Sequence, residues 1–151
     1  MRIYLDTCCL SRRFDDQTQT RIHQETEAIR QILDYFQDGH WLWISSDVLV
    51  DEIENNPNET KRIQIKRWLI HVDQDISVET SEISRGRQLE TLTFQAMDAL
   101  HLACAESGSA DVLLTTDDRL LNKARNVQTQ LNIEVDNPLE WLQKVRKNEH
   151  T

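Results

Sequence analysis

Residues 97–119 read MDALHLACAESGSADVLLTTDDR, and they set two kinds of apolar segment side by side. The first belongs to a helix expected over 94–106, apolar on every side, as a buried helix is. The second, DVLLT at 111–115, is a continuous apolar run of the length of a strand. Such a run suits a strand covered on both faces, the environment of a parallel sheet between helices. One residue breaks the pattern. Asp98 sits within the apolar helix, where an unpaired carboxylate costs several kcal/mol unless it finds a cation or a proton.

Outward from this stretch, strands and helices alternate along the whole chain. Strands are expected at 2–6 (RIYLD), 41–45 (WLWIS), 76–79 and 133–136. Helices are expected at 22–37, stopped by Gly39, at 47–55, capped by Ser46 and ended by Pro57, and at about 60–70. Others follow at about 81–91, at 118–126 and from Pro138 onward. This order predicts an α/β fold, a three-layer α/β/α sandwich with a mostly parallel central sheet. No linker or composition shift divides the 151 residues, so a single domain over 1–151 is expected.

The formal net charge of -9 argues against a surface that holds nucleic acid everywhere, though not against a local basic patch. No apolar run approaches the roughly 18–20 residues that span a bilayer, so no membrane partner is expected. The start, MRIYLDTCC, turns polar too soon for a signal peptide. Cys8, Cys9 and Cys104 are odd in number and lack paired spacing, which predicts reduced thiols and a cytoplasmic protein.

In open parallel sheets, ligands bind outside the carboxyl ends of the strands. Asp6 ends the first strand, and Asp117 follows the strand ADVLLTT. Glu52 lies beside Val48 and Leu49 on its helix, an acid at the edge of an apolar stripe, whereas Asp51 and Glu54 turn to solvent. Singly, each has an ordinary reading as a strand end, a cap or a rim residue. With Asp98 they form a set of oxygen donors suited to a hard divalent cation, Mg²⁺ or Mn²⁺. No His/Cys cluster with zinc spacing competes.

IYLDT, SSDVLVDEI, MDALHLACA and DVLLTTDD resemble, in order and approximate spacing, the four acidic blocks of PIN-domain ribonucleases. The likeness is nearest to small bacterial VapC-like toxins of toxin–antitoxin pairs. The resemblance implies a metal-dependent endoribonuclease that cuts RNA to leave 5′-phosphate and 3′-hydroxyl ends. Asp6, Glu52, Asp98 and Asp117 fall on the family's four acids. Asp6 and Asp98 would ligate the main metal, Asp117 would complete its shell or hold a second ion, and Glu52 would orient or deprotonate water. Thr115 and Thr116 fall on the hydroxyl-rich approach to the last acid. The segment LSRRFDDQTQTRIHQE resembles an arginine- and aspartate-bearing loop of some small relatives, and Asp118 reads as the cap of helix 118–126. An antitoxin partner is implied, as is a homodimer, which four tryptophans would support by leaving apolar surface to bury.

Other groups read as structural. His101, three residues after Asp98, is expected to be a packed histidine with Asp98 within hydrogen-bonding reach, and nothing activates Cys8 or Cys9. Trp41, Trp43, Trp68 and Trp141 suit a core or an interface. Lys61, Arg62, Lys66 and Arg67 form a solvated face or, alternatively, a phosphate contact. Two further functions compete: a non-catalytic PIN module, and a receiver-type signalling domain. The receiver design wants a paired acid at the first strand, where Thr7 follows Asp6.

Overall fold

The computed structural model describes residues 1–149. Five strands form one sheet: β1 (Arg2–Leu5), β2 (Leu42–Ser46), β3 (Gln74–Ile76), β4 (Val112–Leu114) and β5 (Glu134–Asp136). Their order is β3-β2-β1-β4-β5, and every neighbouring pair is parallel. The expected sandwich is thus present, with the sheet wholly rather than mostly parallel. β1 lies between β2 and β4, whereas the receiver fold sets its first strand between the second and third. That order removes the receiver reading.

The helices are α1 (Thr7–Ser11), α2 (Thr20–Gln37), α3 (Asp47–Glu54), α4 (Glu59–Leu69), α5 (Thr80–Glu90), α6 (Ala96–Ser107), α7 (Asp118–Asn126) and α8 (Pro138–Glu149). Alternation along the strands sorts them into layers. Trp43 stacks on Phe36 of α2 at 5.1 Å between ring centroids, so its side of the sheet faces α2, which packs with α8. Tyr4 reaches His101 of α6 on the other side, where α5 packs on α6. Ile3, Tyr4, Leu5, Val112, Leu113 and Leu114 are all buried, as the unbroken apolar runs predict.

Two glycines shape this frame. Gly39 ends α2 with φ +74, the left-handed turn that favours glycine. Gly108 caps α6 with ordinary φ, but a β-carbon there would stand 2.6 Å from Ile44 Cγ2, so the glycine is required by packing. Arg2 donates to the Gly108 carbonyl from two guanidinium nitrogens and secures the same corner.

Three expectations need correction. The first strand stops at Leu5, and Asp6 caps α1, a helix the periodicity does not reveal because it is only five residues long. The third strand runs over Gln74–Ile76, earlier than 76–79, because its pairing with β2 fixes Ile76 opposite Ser46. Helix α6 begins at Ala96, so Asp98 lies in its first turn and is half-buried, not enclosed in mid-helix.

Candidate active site

The strand order reverses between β1 and β4, and this switch point is where a parallel sheet opens a crevice at its carboxyl edge. Asp6 follows β1 there, and Asp117 follows β4 as the cap of α7. Glu52 comes from α3, which continues directly from β2. Asp98 comes from the first turn of α6.

Asp6 is the most constrained of these acids. Its Oδ1 accepts the Thr7 amide at 2.8 Å. Its Oδ2 accepts the Thr115 hydroxyl at 2.8 Å and the Cys8 thiol at 3.4 Å. The same Thr115 oxygen accepts the Asp117 amide at 3.1 Å, so one buried hydroxyl joins the two strand-end acids. Asp117 itself is exposed and accepts the Arg119 amide through Oδ1. Asp118, expected as the helix cap, instead takes a bidentate contact from Arg21 at 2.7 and 2.8 Å.

Glu52 is bound to a residue that sequence reasoning set aside. Its Oε1 accepts from His101 Nε2 in a short contact, and Asp6 Oδ1 lies 3.9 Å from the same nitrogen. His101 Nδ1 meets Tyr4 Oη at 2.6 Å, and Tyr4 Oη meets Ser46 Oγ at 2.6 Å. His101 therefore reaches Glu52, not Asp98, as its first partner. A buried tyrosine within an apolar strand needs a partner for its hydroxyl. Tyr4, two residues before Asp6, was the available signal for this network.

The charges of the other three acids bear on Asp98. Burial, then the charges of Asp6 and Asp117, push the Asp98 carboxyl up to about 6, with Glu52 adding to the effect and His101 opposing it. Burial works against a charged His101, but the Glu52 hydrogen bond and the charges of Asp6, Glu52 and Asp98 outweigh it and raise its pKa. Burial raises the Tyr4 phenol well above its ordinary value, which keeps it neutral. These acids offer the all-oxygen donor set of a hard cation. Among the described residues, no three His, Cys, Asp or Glu side chains already converge as a metal cage. The donor chemistry fits a divalent ion, and closing around one would take side-chain movement.

The remaining candidates lie elsewhere or serve the frame. Arg12 donates to Glu25 at 2.6 and 2.9 Å, Asn137 donates to its other oxygen at 2.6 Å, and Arg21 adds a contact at 3.3 Å. The segment at 10–25 thereby ties α2 to its surroundings around a buried carboxylate. In the basic stretch of α4, Lys66 pairs with Glu54 at 2.5 Å and Arg62 donates to the Asn56 carbonyl at 2.8 Å. Trp41, Trp43 and Trp141 are buried within the chain and Trp68 half-buried, so the tryptophans do not supply the apolar surface expected for a dimer. All three cysteines are free. No helix among the described residues is long and apolar enough to cross a membrane.

Residues 3–126 match the sequence profile of the PIN domain. This chain belongs to the PIN domain family. Its fold is similar to that of VapBC2 from Rickettsia felis bound to a DNA fragment from their promoter, with a TM-score of 0.62 and 12% identity. It is likewise similar to VapBC-1 from nontypeable Haemophilus influenzae, with a TM-score of 0.57 and 16% identity. Both alignments cover 91% of this PIN chain and 98% of the other chain. No curated protein matches the sequence.

Proposed function

We propose that this PIN domain is a metal-dependent endoribonuclease and the toxin of a toxin–antitoxin pair. The nuclease reading is carried by one observation: at one edge of the sheet the Thr115 hydroxyl joins Asp6 to Asp117, and His101, on the helix that also carries Asp98, sets its Nε2 against Glu52 and 3.9 Å from Asp6. Asp6, Asp98 and Asp117 would hold Mg²⁺ or Mn²⁺, with the exposed Asp117 completing the shell or holding a second ion. A bound divalent ion supplies positive charge against a scissile phosphate and activates water for attack. Glu52 would orient that water or take its proton. Thr115 would keep Asp6 and Asp117 in register, so that both acids move as one wall of the crevice. RNA is the substrate in this reading, with 5′-phosphate and 3′-hydroxyl products.

The antitoxin partner draws its support from the two VapBC structures of similar fold. A homodimer, resting on the family resemblance alone, is checked by light scattering at micromolar concentration.

The test is cleavage of labelled single-stranded RNA by the purified chain. We expect cleavage with Mn²⁺ or Mg²⁺, none with EDTA and none with Asp98→Asn. The competing reading is a non-catalytic PIN domain that binds RNA or a protein partner, and the presence of all four acids, Asp6, Glu52, Asp98 and Asp117, weighs against it. RNA binding without metal-dependent cleavage by the wild type would establish that competitor instead.

A further inference from the structure

We propose that His101 is the positioning residue of the acidic site: it holds Glu52 through Nε2 and is itself held through Nδ1 by the Tyr4–Ser46 hydroxyl pair. The functional meaning of this proposal rests on the nuclease reading above.

The geometry forms a closed circuit. Ser46 ends β2 and caps α3, accepting the Leu49 amide at 3.2 Å. Helix α3 carries Glu52, Glu52 accepts from His101 of α6, His101 meets Tyr4 of β1, and Tyr4 returns to Ser46 at 2.6 Å. Four elements are thus locked in mutual register by side chains that all lie at one sheet edge. The contacts differ in burial in an informative way. The His101 side chain is 2% exposed, whereas that of Glu52 is 31% exposed. A buried ring therefore reaches out to grip an acid that opens to the crevice.

The chemistry assigns each atom a role. A carboxylate oxygen only accepts, so Nε2 carries a proton and donates to Glu52. Nδ1 faces a hydroxyl, which can accept or donate, and Tyr4 and Ser46 turn their protons to suit. Only one Glu52 oxygen is taken by the ring. A free glutamate at a helix rim would sample several rotamers, and a charge-assisted hydrogen bond from a fixed donor removes that freedom. His101 also lies between Glu52 and Asp6, 3.9 Å from Asp6 Oδ1, and so separates two like charges at the site.

A purely structural histidine and a positioning one respond differently to substitution. His101→Gln can offer an amide donor near the place of Nε2, and His101→Asn only near that of Nδ1. We expect His101→Asn to lower kcat by roughly 10–100-fold with KM for RNA little changed, the usual range for residues that orient a site's ligands. His101→Gln should restore kcat to within about fivefold of wild type, being the variant that keeps the Nε2-side donor. In a Glu52→Ala background, His101→Asn should cost less than about threefold more, because residues acting as a unit are non-additive. Equal losses in the Gln and Asn variants, or losses that multiply, would overturn the proposal.

A second measurement needs no activity. In wild type, the imidazole Nε2–H should give a proton resonance protected from exchange, and Glu52→Gln should shift it or abolish its protection. An unchanged resonance in Glu52→Gln would also overturn the proposal, even in an enzyme that cleaves RNA. A wild type that shows the Glu52-dependent resonance but cleaves no RNA would instead defeat the nuclease reading and leave the positioning contact standing.

Discussion

Thr115 and Asp6 meet across β4 and β1, where the wholly buried Thr115 hydroxyl donates to Asp6 Oδ2 at 2.8 Å and accepts the Asp117 amide at 3.1 Å. Replacing this hydroxyl by a methyl group keeps the shape but leaves an amide and a carboxylate each short of a partner. Thr115→Val should therefore cost about 1–3 kcal/mol of stability in urea denaturation, the penalty of unsatisfied buried groups. Thr115→Ser should stay within about 1 kcal/mol of wild type, since it keeps the oxygen and loses one methyl group. Equal stability of the valine and wild-type proteins would show that the contact contributes nothing.

Asp98 makes the acid cluster sensitive to pH. Its folded pKa, about 6, lies above its ordinary value of 3.8. The native state therefore binds the proton more tightly, and stability falls as pH rises from about 4 to 6 and stays reduced above that range. Asp98→Asn removes the charge and should be more stable than wild type at pH 7.5 in EDTA. The gain should be about 1–2 kcal/mol once partial exposure is discounted. The two proteins should converge below about pH 4, where the carboxyl is protonated in both states. Added Mn²⁺ should raise wild-type stability by about 2.7 kcal/mol at a hundredfold excess over the dissociation constant, and the variant much less. Thermal melting across pH, with and without metal, checks all of these. An Asp98→Asn protein that melts well below wild type in EDTA would make Asp98 a structural hydrogen-bonding residue.

Glu25 sets a contrast between two arginines. The Arg12 side chain is 18% exposed and that of Arg21 is 51% exposed, and both reach the same buried carboxylate. Arg12→Met should cost about 2–3 kcal/mol, because it leaves a buried charge short of its main partner. Arg21→Met should cost less than about 1 kcal/mol, as exposed pairs do. Arg21 also holds Asp118, the neighbour of Asp117, so its loss should lower RNA cleavage more than it lowers the melting temperature. Similar destabilisation by the two substitutions would refute this division of labour.

Gly108 tests the packing of α6 against the sheet. A methyl group there would press on Ile44 Cγ2 at 2.6 Å and on Ile76 at 3.2 Å. Gly108→Ala should destabilise by about 1–3 kcal/mol, the usual cost of overpacking. The double variant Gly108→Ala with Ile44→Val should recover part of that loss. No recovery would mean that the strain falls on the backbone rather than on Ile44.

The fold was legible because its strands are unbroken apolar runs and its long helices keep their periods. The acids at strand ends were legible for a related reason. Asp6 and Asp117 follow apolar runs, and a parallel sheet directs such positions to one edge. His101 is packed as expected, but its partner was misjudged because Glu52 lies 49 positions away in sequence. Spacing along one helix pointed to Asp98, three residues off, and spacing cannot see a contact between α3 and α6. Asp118 was misread for a similar reason: either of two adjacent aspartates could cap α7, and Asp118 is instead drawn to Arg21, 97 positions away in sequence. Helix α1 was hidden by its length, since five residues make too few turns to display a period.

Glu25 receives an amide from Asn137, and the Thr115 amide donates to the Asp136 carbonyl at 3.0 Å. Both acceptor and donor residues, Asp136 and Asn137, lie beyond residue 126, where the PIN match ends. Trp141, farther still, packs edge-on against Trp41 at 5.1 Å. A fragment trimmed to the matched region would strip the sheet of β5, bare Trp41 and leave Glu25 with one donor fewer. The boundary by which the family is recognised therefore cuts through the sheet, and residues beyond it brace the very edge that bears the acids, since Asp136 receives the Thr115 amide.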